Sequence, residues 1–172
     1  MKAVIQRVVD ASVTVDGITK GKIDSGLLVY LGVAHNDSES DADRLAEKTA
    51  YLRIFNDNEG KMNLSVKDLA ENNKLSSSGE LPVIGVLAVS QFTLLADTRK
   101  GRRPSWSYRQ TGTGEVSKYG AAAPEKAKQL YEYFLNAVRK HGLVCESGEF
   151  QAHMMVSYIN DGPVTIILDT KE

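Results

Sequence analysis

The segment Ser90-Gln91-Phe92-Thr93 follows an uninterrupted apolar run, residues 83–89, so hydroxyl and amide groups arrive where a buried strand ends. Polar groups at the end of a buried strand are where a site can be built, since they position and polarise a substrate. A second constellation, Asn160-Asp161-Gly162-Pro163-Val164-Thr165, lies near the far end. Gly162 tolerates any φ and Pro163 has φ fixed, so the pair can aim backbone carbonyls rigidly; an ordinary turn uses the same dipeptide. A cis bond before Pro163 would be a deliberate feature. The third is Arg99-Lys100-Gly101-Arg102-Arg103-Pro104-Ser105-Trp106-Ser107-Tyr108-Arg109, five cations with two aromatics among them. Cations neutralise phosphate and rings stack bases, which suits a single-stranded RNA end; a solvated loop has the same composition, and the sequence leaves both readings open. Arg7, inside an apolar strand, either faces solvent or donates to carbonyls that line a site.

Other chemistries find no support. His35, His141 and His153 are widely separated, and none has metal-ligand spacing with Cys, Asp or Glu, so no metal is expected. There is no Gly-x-Ser-x-Gly elbow, and Cys145 has no evident His partner. Thr111-Gly112-Thr113-Gly114 lacks the Gly-Lys-Ser/Thr of a phosphate loop. Thr165 carries a hydroxyl with no neighbour in sequence to activate it, and His153 is the runner-up base. What remains positions and polarises, with no strong general base and no cofactor.

Elements that must hold these groups can be read from the pattern. The chain has 172 residues, 42% apolar and 25% charged, which predicts one soluble domain over residues 1–172. No apolar run reaches the ~18 residues of a membrane span, and one cysteine cannot form an internal disulfide, so the chain reads as cytoplasmic. A net charge of −1 means that any RNA must be held by a local patch. Residues 2–9 and 11–15 alternate and precede Asp16-Gly17, a hairpin signal. Residues 27–33 suit a strand buried on both faces. Ser38-Glu39-Ser40-Asp41 starts a helix that runs to about Arg53, and Pro124 starts another that ends at His141-Gly142. Residues 64–78 are ambiguous between helix and loop. The apolar runs of residues 154–168 predict a terminal strand pair meeting at Gly162-Pro163.

Together Gln6-Arg7-Val8 with Ala11-Ser12-Val13, Ser90-Gln91-Phe92-Thr93-Leu94, Gly101-Arg102-Arg103-Pro104-Ser105 and Asn160-Asp161-Gly162-Pro163-Val164-Thr165 resemble the D-aminoacyl-tRNA deacylase family over nearly the whole chain. The resemblance implies an α+β fold, predominantly β, with barrel-like antiparallel sheets and two main helices. It also implies a homodimer with active sites at the subunit interface, acting on D-aminoacyl-tRNA and, as a side activity, on glycyl-tRNA mischarged on tRNA-Ala. Ser90, Gln91, Phe92 and Thr93 would be the catalytic set, with backbone N–H groups near Phe92 and Thr93 as oxyanion donors. Gly162 and a cis Pro163 would reach the partner's pocket and reject L substrates. Arg7 would brace that motif, Thr165 would support it, and the ribose 2′-hydroxyl of the RNA would assist hydrolysis. Arg99, Lys100, Arg102, Arg103 and Trp106 would contact tRNA.

The chain departs from the commoner family pattern at residues 71–79 and 108–121, which look like insertions, at Trp106 in place of Phe, and at Gln151 in place of Gly. Two rival readings are a non-catalytic tRNA-binding module and a small-molecule esterase working through His153 or Thr165.

Overall fold

Alternating residues at the start of the chain form β1 (Lys2–Val15), which turns back through Asp16-Gly17 into β2 (Ile18–Gly32). Asp16 and Gly17 have φ of +49° and +77°, the paired positive values that let a two-residue turn follow the twist of its strands. The structure, a computed structural model, describes residues 1–74, 81–99, 101–106 and 120–172. After β2 come α1 (Glu39–Tyr51), β3 (Phe55–Asn56), β4 (Met62–Leu64), α2 (Val66–Lys74) and β5 (Ile84–Ser90), followed by a 3-10 turn (Phe92–Leu95), α3 (Pro124–Lys140), β6 (Val144–Ser147) and β7 (Met155–Asp169).

An antiparallel, barrel-like protein is not what results. The main sheet is open and mixed, in the order β6-β5-β2-β1-β7, with β3 and β4 forming a separate pair. β1 runs antiparallel to β2 and β7, but β2–β5 and β5–β6 are parallel. The chain makes both parallel steps through helices, α1 and α2 in one and α3 in the other, and such crossovers return it to the same end of the sheet. At the β2–β5 contact Gly26 faces Gly85. Gly26 has φ +135°, and a Cβ there would come within 1.9 Å of the Gly85 carbonyl oxygen; only glycine fits.

There are three α-helices among the described residues rather than two. In the segment that sequence leaves ambiguous, Ser65 donates its N–H (2.8 Å) and hydroxyl (2.6 Å) to Asp68, and α2 follows from that cap. α1 begins in the same way, with the Ser38 N–H and hydroxyl each 2.9 Å from the Asp41 carboxylate. It ends at Tyr51, two residues before the expected stop.

Side chains of β2 alternate between two cores. Leu27, Val29 and Leu31 pack with Leu45, Phe134 and Val138 beneath the helices, and Leu28 packs with Val8, Val13 and Leu87 on the other face. The expectation of a strand buried on both sides therefore holds. Each such side chain contributes about 1.5–3 kcal/mol by leaving water. At one corner the Met1 ammonium donates to Asp37 (2.8 Å) and to the Thr170 hydroxyl, while Asp37 also accepts the Ala34 N–H at 2.6 Å. That junction ties the start of β1, the segment after β2 and the segment after β7.

The expected terminal strand pair is one strand. β7 runs from Met155 to Asp169, and both of its halves pair with β1 in the same antiparallel sense. Between Gln6↔Thr165 and Val8↔Asn160 the register slips, so Asp161, Gly162, Pro163 and Val164 stand opposite Arg7 alone. The polar corner is thus a bulge within an edge strand rather than a hairpin, because β1 supplies a ladder on both sides of it.

Candidate active site

A cavity of about 790 Å³ opens beside the end of β5. Three elements build its walls. Val89 and Ser90 of β5, continued by Gln91 and Phe92, form one side; Ala121, Ala122 and Ala123 lead into Pro124, Ala127 and Tyr131 of α3; Phe150, Gln151, Ala152, His153 and Met154 form the turn that connects β6 to β7. Leu31, near the end of β2, and Val33, just past it, also line it.

The sequence delivers the polar edge by ending β5 sharply. Gln91 N–H donates to the Leu31 carbonyl at 2.8 Å, the last bond of that ladder, and the 3-10 turn then begins. Within it Leu94 N–H bonds the Gln91 carbonyl at 3.3 Å and Ala96 N–H the Thr93 carbonyl at 3.1 Å. The first N–H groups of such a turn have no acceptor inside it, so those of Phe92 and Thr93 are donors the turn does not consume. Gln91 Nε2 donates to the Thr93 hydroxyl, which joins Thr93 to the cavity-lining residues.

Phe92 and Trp106 meet edge to face at 5.1 Å, and both line the cavity while 50% and 41% exposed. The chain reaches Trp106 through a closed loop in which Asp97 and Ser105 exchange backbone hydrogen bonds. Arg99 lies back on Asp97, with Nε–Oδ1 at 2.8 Å and Nη2–Oδ2 at 2.7 Å, whereas Arg102 and Arg103 are exposed. Residues 101–106 of the basic segment therefore lead directly to the cavity wall at Trp106. Lys100 lies outside the described residues, as do residues 75–79 and 108–119 of the two expected insertions. Beyond them, Ala121 N–H bonds the Trp106 carbonyl (3.1 Å) and Ala122 N–H the Val33 carbonyl (2.9 Å).

Gly162 and Pro163 are not in this cavity. Their peptide bond is cis, and both are exposed on the β7 bulge. Arg7, 7% exposed, reaches that bulge: Nε stands 3.2 Å from the Asp161 carbonyl and 2.9 Å from the Asp161 carboxylate, while Nη1 bonds the Ile54 carbonyl at 2.7 Å. Arg7 is thus a buried donor to carbonyls rather than a solvated side chain. Thr165 Oγ1 accepts from Gln6 Nε2 (3.1 Å) and Asn160 Nδ2 (3.2 Å), and Asn160 Oδ1 accepts the Val164 N–H. Amide donors on a hydroxyl oxygen do not activate it as a nucleophile.

One chain therefore holds two separate groupings, a cavity lined by Ser90, Gln91 and Phe92, with Thr93 bonded to Gln91 but outside the lining, and a braced bulge with Gly162 and Pro163. Sequence reasoning missed the walls opposite Ser90. Tyr131 reads as one more apolar position of α3, and Phe150 lies in a turn without any motif to mark it; Gln151, noted in the sequence only as standing in place of Gly, takes φ +64° there. No group of three or more His, Cys, Asp or Glu among the described residues could hold a metal. The chemistry available is binding of a flat or apolar group and polarisation of a carbonyl by backbone N–H.

A model of the family described as D-Tyr-tRNA(Tyr) deacylase matches residues 4–169. The chain is 52% identical over 172 residues to a D-aminoacyl-tRNA deacylase of Koribacter versatilis and 51% identical over 172 residues to one of Thermosipho africanus. Each match covers 100% of this chain and 99% of the relative. Among solved structures, the c-Myc DNA unwinding element binding protein is similar at TM-score 0.76 with 35% identity, covering 98% of both chains. A probable eukaryotic D-amino acid tRNA deacylase has the same fold at TM-score 0.70 and 16% identity, covering 97% of both.

Proposed function

This chain belongs to the D-Tyr-tRNA(Tyr) deacylase family, whose curated members are hydrolases of the aminoacyl ester bond, and from that membership we propose that its cavity cleaves D-aminoacyl-tRNA and rejects L-aminoacyl-tRNA. The observation that carries the assignment of the site is the convergence of Ser90, Gln91 and Phe92 on the cavity beside N–H groups that the 3-10 turn leaves open. The terminal aminoacyl-adenosine enters, and its ester carbonyl faces the Phe92 and Thr93 N–H groups. Water adds to the carbonyl carbon, the negative charge builds on the carbonyl oxygen, and the bond from that carbon to the ribose oxygen breaks. The ribose oxygen leaves with a proton, and the neighbouring 2′-hydroxyl can relay it. An N–H aimed at the oxyanion lowers the barrier in the step where charge develops; loss of one such donor elsewhere costs about 2.7–4 kcal/mol.

Chirality is assigned to Gly162 and Pro163. Since they lie on a bulge outside their own chain's cavity, the reading takes a homodimer in which the bulge of one protomer enters the cavity of its partner. The exposure of β7 supports that arrangement, because it is an edge strand on which Met155, Ile159 and Ile167 are 65%, 60% and 69% exposed. A wall of backbone carbonyls then collides with an L side chain and leaves a D side chain free. Glycine presents no side chain to such a wall, so glycyl esters pass it.

Matched D- and L-tyrosyl-tRNA, incubated with purified, chelator-treated protein, test this. Loss of the D ester alone is expected. Survival of both esters with RNA still bound would favour a non-catalytic tRNA-binding module, and cleavage of both would remove the filter from Gly162-Pro163.

A further inference from the structure

The cavity is assembled from elements far apart in sequence, and one carbonyl holds three of them. Ala88, two residues before Ser90 on β5, accepts the Tyr131 hydroxyl at 2.8 Å and the Gly148 N–H at 3.1 Å. Tyr131 belongs to α3, and Gly148 opens the turn that carries Phe150, Gln151 and His153. Both acceptor positions of the carbonyl are therefore occupied, each by a different wall. The Tyr131 ring, 3% exposed, also lies 6.0 Å from the Phe150 ring, and both residues line the cavity.

We propose that Tyr131 is a positioning residue for ester hydrolysis: through the Ala88 carbonyl, which the turn after Gly148 grips by its own N–H, its hydroxyl holds the α3 wall at a set distance from that turn and from Ser90, Gln91 and the Phe92 N–H. The inference rests on the function proposed above. Nothing in it requires the phenol to touch substrate or to transfer a proton. Burial, with Cys145 adding to it, pushes the Tyr131 hydroxyl above the ordinary phenol range, so it remains a donor at working pH. A buried tyrosine whose hydroxyl found no partner would be no better placed than phenylalanine, so the bond is what distinguishes the residue here. Displacement of the walls by a fraction of an ångström would leave most binding contacts in place while moving the ester relative to its N–H donors, and errors of that kind fall on the chemical step.

Tyr131→Phe is the test, since the ring still fills its place and Ala88 keeps the Gly148 N–H. On D-tyrosyl-tRNA the variant is expected to lose about tenfold in kcat with KM changed less than about twofold. Trp106 is the sole tryptophan and lies in the cavity wall, so its fluorescence reports binding of a non-hydrolysable D-tyrosyl-adenosine amide, which should be unchanged. A kcat equal to wild type would overturn the proposal, and so would a loss confined to KM or to thermal stability, which is what a merely structural bond would give. Wild-type protein that spares the D ester in the same assay would instead sink the proposed function, and this inference with it.

Discussion

Arg7 holds Asp161 at two points, with Nε at 3.2 Å from its carbonyl and 2.9 Å from its carboxylate. The same guanidinium is anchored behind by the Ile54 carbonyl at 2.7 Å and lies 6.0 Å over the Phe55 ring. A single side chain thus fixes the root of the Gly162-Pro163 bulge to the segment after α1. Lysine has one compact donor centre in place of the planar fork, so it cannot span the Asp161 and Ile54 carbonyls as Nε and Nη1 do. Arg7→Lys and Arg7→Met are expected to lower stability by about 1–3 kcal/mol, since carbonyls buried against the guanidinium lose their donor. Both should also raise cleavage of L-tyrosyl-tRNA relative to D. Urea unfolding and the ratio of the two rates check this, and an unchanged ratio would detach Arg7 from the filter.

Gly162 has φ +126°, and a Cβ there would come 2.7 Å from Val164 Cγ2 and 3.2 Å from Arg7 Nη2. Gly162→Ala therefore forces Val164 or Arg7 aside, in a backbone region that L side chains rarely adopt, at a cost of about 1 kcal/mol or more. The site is exposed, so the protein should still fold. Discrimination between D- and L-tyrosyl-tRNA should fall by at least about tenfold if the bulge is the filter; wild-type discrimination in this variant would refute it.

Arg102 and Arg103 are exposed on the loop whose ends meet at Asp97 and Ser105, while Arg99 is tied to Asp97. Replacing Arg102 and Arg103 together with Ala should weaken tRNA binding and flatten its salt dependence by about one unit of log–log slope for each phosphate that is no longer neutralised. Arg99→Ala should do less. Affinity measured across a salt series decides, and identical slopes for the double variant and wild type would remove the loop from the RNA interface.

Asp41 offers a pH test. Burial raises its carboxyl, but hydrogen bonds from Lys171, Thr170 and Ser38 outweigh that and hold it well below the usual carboxylate range. Its folded value thus lies under its unfolded one, so its contribution to stability is full above about pH 4 and is lost as pH falls further toward the folded value. Urea midpoints should drop more steeply below pH 4 for wild type than for Asp41→Asn. Parallel curves would mean that Asp41 is not the group responsible.

Burial pushes the Cys145 thiol up to about 12, against a smaller downward pull from Arg139. The thiolate is the reactive species, so the folded protein should resist iodoacetamide at pH 8 and react once unfolded. Rapid alkylation of native protein, followed by mass spectrometry, would contradict this.

Sequence alone determined what depends on neighbours a few residues apart. Asp16-Gly17 specifies its hairpin because the turn needs two positive φ values, and Ser38 with Asp41 specifies the start of α1 because the bonds close over three residues. The polar end of β5 and the Gly162-Pro163 dipeptide were legible for the same reason. Tertiary structure decided how these pieces meet. A single antiparallel reading fails at β2–β5 because parallel or antiparallel pairing is set by where the intervening helices return the chain. The terminal runs look like a hairpin in sequence, and become one bulged strand only because β1 pairs with both. Tyr131 carries no local mark; its bond to Ala88 spans 43 residues, and a contact of that range exists only once α3 has packed on the sheet.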